Sequence, residues 1–211
     1  MTCLILATRN AHKVAEIRGI LGEKMRILSQ HDFPGAPGVA EDADTFAGNA
    51  TKKAEGLSAW LAANAREAGA GRAFYVLADD SGLAVDALDG APGVHSARFA
   101  ATLPATANSS DAANNAKLLR LLEDVPPERR TARFRCVLAL ATQAKDTRVF
   151  EGHCEGRIAR VAAGVGGFGY DPLFIPAGFA QSFAELGEEV KNKISHRARA
   201  LAELRRFLEG V

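Results

Sequence analysis

Apolar residues along the chain fall into short continuous runs and into helical stripes, and the two patterns alternate. Leu4 to Ala7 is an unbroken apolar run, the form of a short buried strand. Asn10 is a good helix cap, and Val14, Ile17, Ile20 and Leu21 recur behind it at helical spacing, predicting a helix from about Ala11 to Leu21. A loop rich in Pro and Gly (Phe33 to Val39) precedes a second helical stretch from about Thr45 to Ala68. Phe74 to Ala78 reads as another strand, running into Asp79-Asp80-Ser81-Gly82, and Gly90, Pro92 and Gly93 mark a turn. Ala112 to Leu122 is helical in pattern and ends before Pro126-Pro127. Thr131 to Ala141 and Thr147 to Val161 read as paired strands of a long hairpin, and Leu173 to Ile175 as a brief strand. An amphipathic helix from Ser195 to Leu208 closes the chain. With no repeat and no low-complexity linker, this pattern predicts one α/β domain over residues 1–211, a mixed twisted sheet flanked by helices.

Composition narrows the picture. At 211 residues, with a hydrophobic fraction of 47% and a charged fraction of 24%, the chain is globular rather than disordered. Lys and Arg total 26 against 25 Asp and Glu, a formal net charge of +1. A protein coating a nucleic-acid backbone carries a larger basic excess, so an anionic ligand has to be met by a local cluster and no nucleic-acid partner is expected. Cys3, Cys136 and Cys154 are far apart and odd in number, which supports neither a zinc site nor a disulfide framework. Reduced thiols, no membrane-spanning run and no signal-peptide core lead to the expectation of a cytoplasmic protein without a membrane partner.

Candidate chemistry lies in four stretches. In Thr8-Arg9-Asn10-Ala11-His12-Lys13, cations sit at or beside a predicted helix N-terminus, where they oppose the helix dipole by about 0.3–1 kcal/mol each. Free amides at a helix start bind phosphate, and a polyphosphate ligand would account for both features; a solvated helix start is the alternative. In Asp79-Asp80-Ser81-Gly82, adjacent carboxylates repel unless a cation lies between them or one is protonated. Strand alternation points them to opposite sides, so one alone reaches a metal directly. Such oxygens suit Mg²⁺, and Glu41, Asp42 and Asp44 form a second acidic cluster; a side-chain-capped turn is the alternative. Gly164 to Pro172 matches G-x-G-x-x-G, but it leads into the apolar Leu173-Phe174-Ile175 and not into a helix, so the dinucleotide fingerprint does not apply. Glycines beside Phe168 and Tyr170 suggest instead backbone approaching a flat ring with an aromatic face for stacking, or a plain turn cluster. In Lys191-Asn192-Lys193-Ile194-Ser195-His196-Arg197, Ser195 caps the last helix and His196 and Arg197 crowd its positive end; alone it would read as an exposed basic turn. No P-loop, nucleophile-elbow or zinc-protease motif is present.

Taken together, Thr8-x-Asn10-x-x-Lys13, Leu77 to Leu83, Phe168 to Pro172, Lys191 to Arg197 and the supporting run Leu88 to Arg98 resemble the inosine triphosphate pyrophosphatase family, the RdgB-type purine NTP pyrophosphatases, over nearly the whole length. Phe99 stands where many relatives have Tyr. The resemblance implies Mg²⁺-dependent hydrolysis of deaminated purine nucleoside triphosphates (ITP, dITP, XTP) to the monophosphate and pyrophosphate, which keeps these bases out of DNA and RNA. It further implies that Thr8, Arg9, Asn10, Ala11, His12 and Lys13 hold the triphosphate, and that Asp80 accepts a proton and binds the metal with Glu41. Ser81 would touch the substrate, Phe168, Gly169, Tyr170 and Asp171 flank the base, and Lys191, His196 and Arg197 contact base and phosphates. Asn49 and Lys53 match a nearby polar pair whose role, like that of Asp79, stays open. An elongated α/β fold, an active-site cleft between two lobes and a homodimer are implied as well. A Maf-like pyrophosphatase preferring pyrimidine or modified nucleotides is a rival enzyme reading. A nucleotide sensor or RNA-binding protein without turnover is the rival of another class, though Asp79-Asp80 would repel RNA phosphate without a metal.

Overall fold

The computed structural model describes residues 3–22, 25–64, 74–101, 108–142 and 146–210. Strand β1 (Cys3–Leu6) is buried at every position, as an apolar run with no polar alternation requires. Helix α1 (Ala11–Leu21) is capped as expected: the Asn10 side chain accepts from the Lys13 amide at 3.1 Å. Strand β2 (Arg26–Ser29) comes next, then α2 (Phe46–Ala63), β3 (Phe74–Val85), α3 (Asp111–Leu121), β4 (Thr131–Ala141), β5 (Thr147–Ile158), β6 (Phe174–Pro176), α4 (Phe183–Ile194) and α5 (His196–Glu209).

The strands form one six-stranded sheet in the order β2-β1-β3-β4-β5-β6. β1 runs parallel to both β2 and β3, whereas β5 and β6 are antiparallel, so the sheet is mixed as expected. Thr142 N–H donates to the Asp146 carbonyl and Ile158 N–H to that of Arg130. Those pairings bracket the β4–β5 hairpin and fix its antiparallel register.

The chain divides into two compact units. The first takes residues 1–80, 136–151 and 200–211, around a core that includes Leu4, Leu6, Ile17, Leu77, Leu138 and Leu204. The second takes residues 81–135 and 152–199, around Leu83, Leu118, Phe134, Leu173, Phe174 and Phe183. Among the described residues no helix is long and apolar enough to cross a membrane.

Several elements depart from the sequence expectation. β3 does not stop at Ala78 but continues through Asp79-Asp80-Ser81-Gly82 to Val85, so the turn reading of that stretch is overturned. The extension is possible because Asp79 and Asp80 are each neutralised by a lysine, and because Gly82 lets the backbone pass close to its neighbours. A Cβ there would stand 2.4 Å from Ser96 Oγ and 2.5 Å from the Gly93 carbonyl. β2 was not anticipated, being only four residues long with a polar residue at each end. Helix α4 was not anticipated either. Its turn at Gly187 (φ 76°) breaks the helical period, although Ser182 and Glu185 form a capping box at its start. Lys191 to Ile194 therefore belong to a helix and not to an exposed basic turn. α2 is seen as far as Ala63; the residues from 65 to Ala68, expected to extend it, lie outside the described residues.

Candidate active site

The first unit gathers charged groups where β1 and β3 meet α1 and α2. Thr8 to Asn10 turn the chain from β1 into α1; Asn10 N–H donates to Thr8 Oγ1 at 3.1 Å. Arg9 is partly committed to that turn, since its guanidinium donates to the Ala36 carbonyl at 2.6 Å and its own carbonyl meets His31 Nε2 at 2.9 Å. Ala11 and His12 are exposed in the first turn of α1, and Lys13 reaches inward. The Lys13 ammonium donates to Asp79 Oδ1 at 2.5 Å. On the other carboxylate oxygen of Asp79, the buried Cys136 thiol donates at 3.2 Å.

Asp80, one residue along β3, has a different set of partners, as strand alternation requires. Asn49 Nδ2 donates to its Oδ2 at 3.2 Å and Lys53 Nζ to its Oδ1 at 3.1 Å. Asn49 and Lys53 are four residues apart on α2 and so share a face. The same ammonium also donates to the Asp79 carbonyl at 2.9 Å and pairs with Glu41 Oε2 at 3.3 Å. Asn49 Oδ1 accepts from the Ala43 amide at 2.9 Å, which ties the acidic loop carrying Glu41 to the start of α2. The roles left open by the sequence now have contacts: Asn49 and Lys53 orient Asp80, and Asp79 anchors Lys13. Asp42 and Asp44 do not join the cluster through any such bond; Asp42 pairs with Lys52 on the surface.

Electrostatics separate the two coupled carboxylates. Burial is the largest influence on Asp80 and pushes its carboxyl above the ordinary value; Lys53 and Lys13 oppose this and Glu41 adds to it. Burial would raise Glu41 too, but Lys53, Lys13 and a hydrogen bond from Asp80 outweigh it and bring the group below its ordinary value. Among the described residues, no group of three or more His, Cys, Asp or Glu side chains is placed to enclose a metal. Any cation held here would take two protein carboxylates at most and complete its shell from elsewhere.

The second unit brings together the remaining residues singled out by sequence. Arg197, fully buried at the start of α5, donates to Ser81 Oγ at 3.0 Å. Ser195 caps that helix through the Ala198 amide at 3.2 Å. His196 is buried and stacked on Phe134, ring centroids 4.7 Å apart and 13° from parallel. Lys191 forms a buried ion pair with Asp171, and its ammonium lies 4.5 Å from the centre of the Phe168 ring. Asp171 also accepts from the Phe168 amide at 2.9 Å. The two aromatic residues of the glycine-rich block have different surroundings. Phe168 is half-buried, whereas Tyr170 sits in the core with its hydroxyl donating to the Ser96 carbonyl at 2.9 Å. Phe168 is therefore the more exposed of the two rings, with the Lys191 ammonium against it, and Tyr170 anchors the loop in the core.

Sequence reasoning missed Cys136, read only as a reduced thiol. Nothing local marks it, because its partner Asp79 is 57 positions away and only the pairing of β3 with β4 brings them together.

Comparison with known proteins shows the family. A model of the Ham1 family matches residues 4–207. The chain is 50% identical over 209 residues to a dITP/XTP pyrophosphatase of Geobacter sulfurreducens, covering 99% of this chain and 97% of the relative. It is 45% identical to one of Shouchella clausii, covering 100% and 98%. Among solved structures, a HAM1 protein from Coxiella burnetii superposes with a TM-score of 0.81 at 36% identity, over the whole of both chains. The nucleoside-triphosphatase, or dITP/XTP pyrophosphatase, of Mycobacterium abscessus gives 0.70 at 42% identity, covering 97% of this chain and 98% of that one. By its sequence from end to end and by its fold, this chain belongs to the Ham1 family.

Proposed function

We propose that the protein hydrolyses deaminated purine nucleoside triphosphates (dITP, XTP and ITP) to the nucleoside monophosphate and pyrophosphate; its relatives are named dITP/XTP pyrophosphatases. The observation that carries this reading is the pair of buried carboxylates on β3, each matched to a lysine from a separate helix: Asp79 to Lys13 and Asp80 to Lys53. Two adjacent acids and two lysines beside a helix N-terminus suit a polyphosphate and a divalent ion together better than either alone.

Mg²⁺ fits the donor set. Asp80 and Glu41 converge on one ammonium, offer hard oxygen ligands only, and leave Glu41 44% exposed, which suits an ion that keeps waters and phosphate oxygens in its shell. When bound, Mg²⁺ would acidify a water and neutralise phosphate charge. Asp80 is assigned as acceptor of the proton from the attacking water, its carboxylate oriented by Asn49 and Lys53. The helix N-terminus of α1 and Lys13 are assigned to the phosphates, where they offset charge gathering on the departing pyrophosphate. Phe168 takes the purine face, with Ser81, Asp171, Lys191, His196 and Arg197 supplying the polar surroundings. A 6-oxo ring is preferred when those groups pair with it and would be left unmatched by a 6-amino ring, at about 1–3 kcal/mol per unmatched buried group. A homodimer in the cytoplasm completes the proposal; the three cysteines are all buried free thiols, in keeping with a reducing compartment.

The test is pyrophosphate release from ITP, dITP and XTP beside ATP, GTP, dTTP and UTP, with and without Mg²⁺. The expected outcome is release from the deaminated purines alone, dependent on Mg²⁺, and its loss in Asp80→Asn while nucleotide binding persists. Preference for dTTP or UTP, or full turnover by Asp80→Asn, would sink the reading.

A further inference from the structure

We infer that Asp111 and Asn115 on α3 are positioning residues that set the plane of the Phe168 ring, and through it the affinity for the purine base. The inference rests on the assignment of Phe168 to the base. Both backbone groups of Gly169 are held by side chains and not by other backbone. Its N–H donates to Asp111 Oδ2 at 2.6 Å, and its carbonyl accepts from Asn115 Nδ2 at 3.0 Å. The two side chains are four residues apart, one turn along α3, so a single helix face grips one residue of the loop from both sides. Gly169 adopts φ 64°, a left-handed geometry that reverses the chain between Phe168 and Tyr170. No neighbour lies within 4 Å of where its Cβ would be, so the glycine is required for its conformation and not for space.

Tyr170 is fixed downstream through its hydroxyl, and the Phe168 amide is fixed by Asp171. The Phe168 carbonyl also accepts from the Asp171 amide at 3.3 Å, and the Gly169 clamp adds the two side-chain bonds that fix how the peptide between Phe168 and Tyr170 is turned, and hence where the Phe168 ring points. Asn115 holds this bond at a cost. Its Oδ1 is buried and, among the described residues, has no hydrogen-bond partner. A buried acceptor without a partner costs stability, so an apolar side chain of similar size at this position separates stability from positioning.

The two roles predict opposite results for Asn115→Leu, which removes both the donor and the orphaned acceptor at similar volume. As a positioning residue, Asn115→Leu keeps or raises Tm, yet KM for ITP rises about tenfold, the size of one lost hydrogen bond to a fixed group, with kcat unchanged. Asp111→Ala on the exposed start of α3 gives the same KM change, and Asp111→Asn, which retains an acceptor oxygen, restores it. Inhibition by tripolyphosphate, which has no base, stays at the wild-type level in all three. If wild-type enzyme hydrolyses ITP while KM in Asn115→Leu and Asp111→Ala stays within about twofold of it, the inference is wrong and the assigned activity stands. If the wild type hydrolyses no purine triphosphate, it is the assigned activity that has failed. A rise in the tripolyphosphate inhibition constant in step with KM would also overturn the inference, since it would mean general loosening of the fold.

Discussion

Asp79 and Asp80 are the same chemical group on consecutive residues, and what separates them is only the direction in which each leaves the strand. One faces Lys13 and the Cys136 thiol; the other faces Asn49 and Lys53. The sequence made the pair conspicuous but could not assign partners that lie 27 to 66 positions away. Cys154 gives a residue-scale test of a different kind. Burial pushes its thiol up to about 11, with Arg199 opposing and Glu155 adding to the shift. Below the ordinary thiol value near 9, the proton is held in both folded and unfolded chains and stability is unaffected. Between about pH 9 and 11 the unfolded chain releases it while the folded chain does not, so stability is lost as pH rises, on the order of 2–3 kcal/mol in all. Urea unfolding followed from pH 8 to 11 should show a shallower decline in Cys154→Ala than in wild type. Equal slopes would mean that the thiol titrates normally.

At the level of elements, α2 holds the acidic cluster in place with one polar pair. Asn49 bonds the Asp80 carboxylate with its nitrogen and the Ala43 amide with its oxygen, and is 1% exposed. Asn49→Leu should therefore cost about 1–3 kcal/mol of stability for the groups left unmatched, read as a lower urea midpoint at unchanged m-value, and should reduce kcat because Asp80 loses one of its two fixed orientations. Wild-type stability in that variant would mean that water replaces the asparagine. Elements legible in the sequence were those whose pattern is local: β1 as an unbroken apolar run, α1 by cap and stripe, α3 by a helical pattern ending before Pro126-Pro127, and β4 and β5 by two long runs around a short connection. The illegible ones depended on distant neutralisation or on a break in period. β3 read as ending at Ala78 because the charges that follow look like a turn until Lys13 and Lys53 are placed beside them. α4 was hidden by Gly187, and the glycine-rich block gave away its aromatic character but not that Phe168 faces outward and Tyr170 inward.

For the molecule as a whole, a formal charge of +1 over 211 residues leaves no long-range field to draw in an anion. What attraction exists must be local, yet the lysines around β3 are already occupied. Lys13 and Lys53 stand against Asp79, Asp80 and Glu41, two ammonium groups facing three carboxyls. Even with one carboxyl protonated, such a cluster is at best neutral. A bare triphosphate with roughly four negative charges would have to displace these internal pairs without compensation. On the proposed function, the resting cluster favours a nucleotide that arrives already complexed with its cation over an unescorted one. Calorimetric titration of an ITP analogue with a non-hydrolysable α–β linkage into Asp80→Asn and wild type should give binding at least tenfold weaker in EDTA than in MgCl₂ for the wild type, with a smaller difference in the variant. If the proposed function holds, the same arithmetic discourages loose phosphates of every kind, so that free orthophosphate in the surroundings would compete poorly for a seat whose entry requires two partners at once.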